Sequence, residues 1–165
     1  GMFLIELILN IDNEFLKILF ISMFPITELR FSIPYFILVE EVVWQKVFIV
    51  SIIGNILIGI LVLYVIAPTM FFLRKNHYLH KIINYILNRT KSKSSLINNY
   101  KLVGLILFIG IPLPFTGVWT GALASYLFSI SRKRSMIGIT IGVLISSIIV
   151  LSLTLIGQEV GAILG

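Results

Sequence analysis

The chain has 165 residues, 58% of them hydrophobic and 12% charged, with a net charge of +6 and no cysteine. Soluble domains carry about 25% charged residues, so there is too little polar surface here to clothe a water-soluble globule. That excludes most cytosolic enzymes, disordered tails and disulfide-stapled secreted scaffolds, and the missing thiols exclude thiolate metal sites.

Residues 2–11 are apolar apart from Glu6. They are too short to span a bilayer and read as an interfacial helix. Glu6, Asp12 and Glu14 stand where a signal peptide would carry basic residues, so none is expected. Phe15 to Phe24 is an apolar run ended by Pro25, and a second run reaches Val39 beyond Pro34. Each would rise about 15 Å as helix, half a bilayer. Glu40 and Glu41 close the segment. Val43 to Ile66 is long enough to cross, interrupted by Lys46 and Asn55 and followed by Pro68.

The stretch 76–89 alternates as an amphipathic basic helix, a pattern that lies on an anionic cytoplasmic leaflet. Leu102 to Ile111 is another short apolar run, broken by Pro112-Leu113-Pro114. Phe115 to Ser129 follows, then Arg132-Lys133-Arg134, then a second full span from Met136 to Ile156.

The two halves repeat this order, as repeat 1 over 12–68 and repeat 2 over 102–157. Pro25-Ile26-Thr27 corresponds to Pro114-Phe115-Thr116, and Gly54 to Gly142. No Asp or Glu occurs between Glu41 and Glu159, while seven of thirteen Lys/Arg lie between Arg74 and Lys101. If 102–130 crossed the membrane, that basic loop and Arg132–Arg134 would face opposite sides, against the positive-inside rule. Both are therefore expected in the cytoplasm, with each short pair entering and leaving on one face; a single crossing by 15–39 is the alternative for the first pair. The expected fold is an all-α integral membrane protein of two inverted repeats. Each is a re-entrant helical hairpin plus one transmembrane helix, with a cytoplasmic linker over 74–101 between them that carries the amphipathic helix. Broken helices meeting at mid-membrane are how transporters place polar groups. The charge pattern reads as topology rather than as nucleic-acid binding.

Glu28 and Arg30 are the main site candidates, since each would cost about 2.5–3.5 kcal/mol at the centre of a lipid-facing helix. A mutually neutralised structural pair is one reading. In the other, Arg30 holds an anion such as phosphate and Glu28 carries protons. Residues two apart point to different sides of a helix, so the pair is expected to need an extended Pro25–Pro34 stretch. Thr27, Thr116, Trp119 and Thr120 offer polar groups at the two tips. Pro25, Pro34, Pro112 and Pro114 are expected to break the hairpins. Gly54, Asn55, Gly117, Gly121, Gly138 and Gly142 read as packing positions, two of the pairs as GxxxG. His77 and His80 lack carboxylate or thiolate partners, so no metal is expected. No nucleophile elbow, zinc motif or phosphate loop is present, and neither an enzyme nor a cofactor is expected.

Pro25-Ile26-Thr27-Glu28-Leu29-Arg30-Phe31-Ser32-Ile33-Pro34 resembles the P-x-x-E-L-R-G-A-I-P stretch of the bacterial and archaeal small multidrug export protein family. Ile111 to Leu123 resembles that family's I-P-L-P-G-T-G-A-W-T-G-A-L, and Gly54-Asn55 also matches. Phe31 and Ser32 stand where the family has Gly-Ala, and Phe115 where it has Gly. The resemblance implies a prokaryotic inner-membrane protein that exports drugs. The architecture is also similar to the DedA (VTT) superfamily, which implies movement of lipids such as polyprenyl phosphates. The combined expectation is a homodimeric transporter of an amphipathic, anionic lipid-phosphate substrate, with membrane lipids as partners. A proton-coupled drug exporter and a non-transporting scaffold are the alternatives.

Overall fold

A computed structural model describes residues 5, 8, 10–73, 97–113 and 116–164. The expected helices at 2–11 and 76–89, with His77, His80 and Pro114, lie wholly or mainly outside the described residues. The described residues form six helices and no strand. They are α1 (Glu14–Met23), α2 (Glu28–Leu38), α3 (Trp44–Leu73), α4 (Ile97–Gly110), α5 (Val118–Leu127) and α6 (Arg132–Leu164). The order short, short, long thus occurs twice.

Local chemistry sets these limits. The Asn13 side chain accepts from the backbone N–H of Phe15 at 3.0 Å and of Leu16 at 3.3 Å, capping α1. Glu14 in the first turn adds a favourable charge at the helix N-terminus. Phe24 is extended, with φ −76° and ψ 138°, as a residue before proline must be. Gly117 opens α5, and its N–H donates to Thr120 Oγ1 at 2.9 Å.

Four boundaries depart from the sequence reading. Pro34 does not break its helix but lies inside α2, because a proline deletes one backbone bond and need not end a short helix held by packing. Pro68 likewise lies inside α3, which runs on to Leu73. The second long helix continues past Gln158 and Glu159 to Leu164. α4 begins at Ile97, five residues before the apolar run read from Leu102.

α3 and α6 are long and apolar enough to cross a bilayer, over 26 and 32 residues. Exposed apolar side chains recur along α3 at Ile49, Ile53, Leu57 and Leu61, and along α6 at Ile137, Ile141, Ile145 and Ile148. Soluble proteins avoid such stripes; a lipid-facing helix requires them.

The chain divides into two compact units. Unit 1 holds Gly1–Leu57 and Val143–Gly165; unit 2 holds Ile58–Gly142. In unit 1, α1 packs on α2 around Ile18, Ile21, Ile33 and Phe36, all fully buried. In unit 2, α4 packs on α5, with Ile109, Val118, Ala122 and Ile139 buried. Ile109 sits against two glycines. A Cβ on Gly142 would lie 2.7 Å from Ile109 Cβ, and one on Gly121 would lie 2.7 Å from Ile109 Cγ1. Gly138 is held as closely by Leu105 Cδ2, at 2.8 Å.

Candidate functional site

In unit 1 the ends of the first helix pair meet. Near the start of α1, Lys17 faces Glu40, beyond the end of α2, at 3.8 Å. Glu14 pairs with Lys46, in the first turn of α3. Tyr35 donates to Glu40 at 3.2 Å. The pair therefore goes out and returns to its starting end. Unit 2 repeats the feature: Lys101, near the start of α4, donates to the carbonyl of Phe128, the C-cap of α5, at 3.0 Å. The Arg132 guanidinium lies 4.6 Å from the centre of the Tyr64 ring, a cation–π contact. The sequence reading saw Glu40 only as a segment end and missed these contacts, which join residues up to 68 apart.

At the turn of the first pair, α1 ends with carbonyls that its own helix cannot bond. Thr27 Oγ1 donates to the Ile21 carbonyl at 2.6 Å. Asn55 Nδ2, from α3, donates to the Ser22 carbonyl at 2.6 Å. Gly54 makes that reach possible. A Cβ there would meet Ser22 Oγ and lie 2.9 Å from the Leu19 carbonyl oxygen. The Gly54-Asn55 pair is thus one device, in which the glycine admits α1 and the asparagine caps it.

Glu28 begins α2 with φ 44°, in the left-handed region. Its residue is 4% exposed. Arg30 donates from Nη1 to Glu28 Oε2 at 2.8 Å. The sequence reading required an extended stretch for this pair. The structure forms it at the start of a helix instead, and the left-handed turn at Glu28 removes the regular helical relation between residues two apart.

Four residues after Glu28, Ser32 is also buried, and its hydroxyl bonds that of Ser51 on α3 at 2.8 Å. Ser51 and Asn55 are in turn four apart and both buried. Sequence reasoning passed over these serines because they interrupt apolar runs without charge. Their spacing of four from Glu28 and from Asn55 was the available signal.

The remaining predicted residues belong to unit 2. Thr116 Oγ1 lies 2.9 Å from the carbonyls of both Ile111 and Leu113, and it accepts from the Leu113 N–H at 3.2 Å. Thr120 holds the Gly117 N–H. Both hydroxyls build the link around Pro112. Trp119 is half-buried on α5. Among the described residues no group of three or more His, Cys, Asp or Glu side chains is placed to hold a metal. What the first site offers is a buried carboxylate that can exchange a proton or hold a cation, with a guanidinium beside it.

A family model described as "Putative small multi-drug export protein" matches residues 28–149, about three-quarters of the chain. No curated protein and no solved structure matches.

Proposed function

The chain belongs to the small multi-drug export protein family, and we propose that it is a proton-coupled exporter of small amphipathic cations in which Glu28 exchanges protons for cargo. The observation that carries this reading is the Glu28–Arg30 pair, with Glu28 buried at the head of a mostly apolar helix. Ionisable groups inside a membrane protein are expensive and mark transport paths. A carboxylate binds a proton or an organic cation, and the two compete. Protonation would release cargo, and deprotonation would restore the site. Arg30 gives the carboxylate a partner when neither is bound.

The family description moves the reading from a lipid phosphate to drug export. In this reading the cargo cation takes the place of the Arg30 guanidinium at the Glu28 carboxylate, which Arg30 bonds at 2.8 Å when no cargo is present. In this reading the two repeats are inverted, and each short pair re-enters the face it left, the topology that the DedA likeness implies. Residues 74–101 and 132–134 lie in the cytoplasm of a prokaryotic cell with the protein in its inner membrane. Two copies associate, because two spanning helices make a small bundle. The tip residues Thr27, Thr116, Trp119 and Thr120 contribute to cargo binding. The out-and-back ion pairs and the Lys101 contact support the re-entrant part of this topology.

The test is gradient-driven efflux of a fluorescent lipophilic cation from proteoliposomes. Glu28→Gln should abolish the dependence on the pH gradient. Arg30→Gln should leave cation efflux measurable. Leaflet exchange of a polyprenyl phosphate that is lost in Arg30→Gln, with no cation efflux in the wild type, would return the reading to a lipid-phosphate carrier. Neither activity, in folded protein, would leave a scaffold.

A further inference from the structure

Eleven polar or charged residues are buried among the described ones, and nine of them belong to unit 1. Unit 2 has only Ser125 and Ser135, and each hydroxyl bonds a carbonyl one turn back on its own chain, at 2.9 and 3.1 Å. The helical order repeats across the two halves; the interior chemistry does not. Burying a hydroxyl in apolar surroundings is costly unless it is bonded, so unit 1 needs an account of its polar interior.

Part of that interior forms a seam along α2 and α3, joined by one hydrogen bond. Glu28 and Ser32 stand one turn apart on α2, and Ser51 and Asn55 one turn apart on α3. The Ser32–Ser51 bond joins the two columns. Either hydroxyl can be its donor, so the bond can reverse direction, which a proton relay requires. A second observation comes from α6. Ser146 is 1% exposed, and its hydroxyl has no hydrogen-bond partner among the described residues. Its neighbour Ser147 bonds the Leu144 carbonyl at 2.8 Å, and Thr154 bonds the Val150 carbonyl at 2.8 Å. A buried hydroxyl left out of such bonding calls for a partner that both donates and accepts.

We infer that the polar interior of unit 1 is water-accessible, that the Glu28–Ser32–Ser51–Asn55 seam is the path by which protons reach Glu28, and that Ser146 bonds water in the same unit. Its role as a proton path rests on the reading of Glu28 as the proton-exchanging group. Water is favoured over a metal ion because the seam has one carboxylate, two hydroxyls and an amide, too little charge for a cation cage.

The absence of cysteine makes the test direct. Ser32→Cys, Ser51→Cys and Ser146→Cys are made singly in the full chain, reconstituted in vesicles and treated with a small charged thiosulfonate. Ile139→Cys and Val143→Cys are the controls, at positions as buried but apolar. A thiol in contact with water ionises and reacts, whereas apolar burial holds its proton. The three serine positions should react at least about tenfold faster than the controls, the effect of one pKa unit on thiolate content. Equal rates overturn the inference.

Should the larger sulfur disturb the fold, hydroxyl-radical footprinting of the unaltered protein supplies a second readout. Leu29 and Ile33, beside the seam in sequence, should label faster than Ile109 and Ile139, which are equally buried in unit 2. Equal labelling again overturns the inference. Neither readout needs transport. A wet seam with gradient-driven efflux surviving Glu28→Gln would end the exporter reading and leave the hydration standing. A dry seam with efflux abolished by that substitution would do the reverse.

Discussion

Glu28 combines two costs at one position, a buried carboxylate and a left-handed backbone. The charge was visible in the sequence as an acid in an apolar run, but the backbone was not, because nothing in Pro25-Ile26-Thr27-Glu28 marks φ 44°. The conformation separates the two costs experimentally. Glu28→Gly and Glu28→Ala both remove the carboxylate and its bond to Arg30, but only alanine keeps the steric penalty of the left-handed region. Glu28→Gly should therefore be more stable than Glu28→Ala by about 1 kcal/mol, read as midpoints of thermal unfolding in detergent. A reversed order would show that the turn relaxes once the ion pair is gone. Asn55 offers a second residue-level check. Asn55→Ala strands the buried Ser22 carbonyl and should cost about 1–3 kcal/mol.

At the level of elements, the apolar runs and proline breaks marked all six helices, but α3 and α6 run seven and eight residues past the spans read for them, α4 starts five residues earlier, and α2 starts inside the Pro25–Pro34 stretch expected to be extended. What they could not locate was where helices continue through proline. Pro34 and Pro68 are read as stops because their N–H is missing. Yet α2 continues through Pro34 because Ile33, Phe36 and Ile37 on its buried face are packed in unit 1. The start of α1 is set by Asn13, whose side chain caps the helix, and by Glu14 in its first turn. Asn13→Ala should lower stability by about 1 kcal/mol. Asn13→Asp, which keeps an acceptor, should recover most of it in the same unfolding measurement.

For the whole molecule, composition alone placed the chain in a membrane, and the exposed stripes on α3 and α6 agree with the family in this. The topology is open to the same single-cysteine approach. Asp12→Cys and Glu41→Cys flank the first helix pair and are expected to label from the outside of intact cells. Ser131→Cys, next to Arg132, is expected to label only in inverted vesicles. Opposite labelling of positions 12 and 41 would make the first pair a crossing segment and remove the inverted repeat. The division into units was illegible for a physical reason. Periodicity reports which face of a helix is buried, not which distant segment buries it, so the halves of α3 and α6 could be assigned only from tertiary contacts.

That division also bears on biosynthesis. The ribosome releases the first 57 residues of unit 1 early, but the rest of that unit begins at Val143, after every residue of unit 2 has been made. The nascent chain must hold its costliest charges, Glu28 and Arg30, in an incomplete setting while the intervening 85 residues are inserted. A chain stopped after Gly142 would contain all of unit 2 and leave unit 1 without Ser146, Ser147 and Thr154. Truncation at that point should therefore expose the polar interior of unit 1 while leaving unit 2 whole.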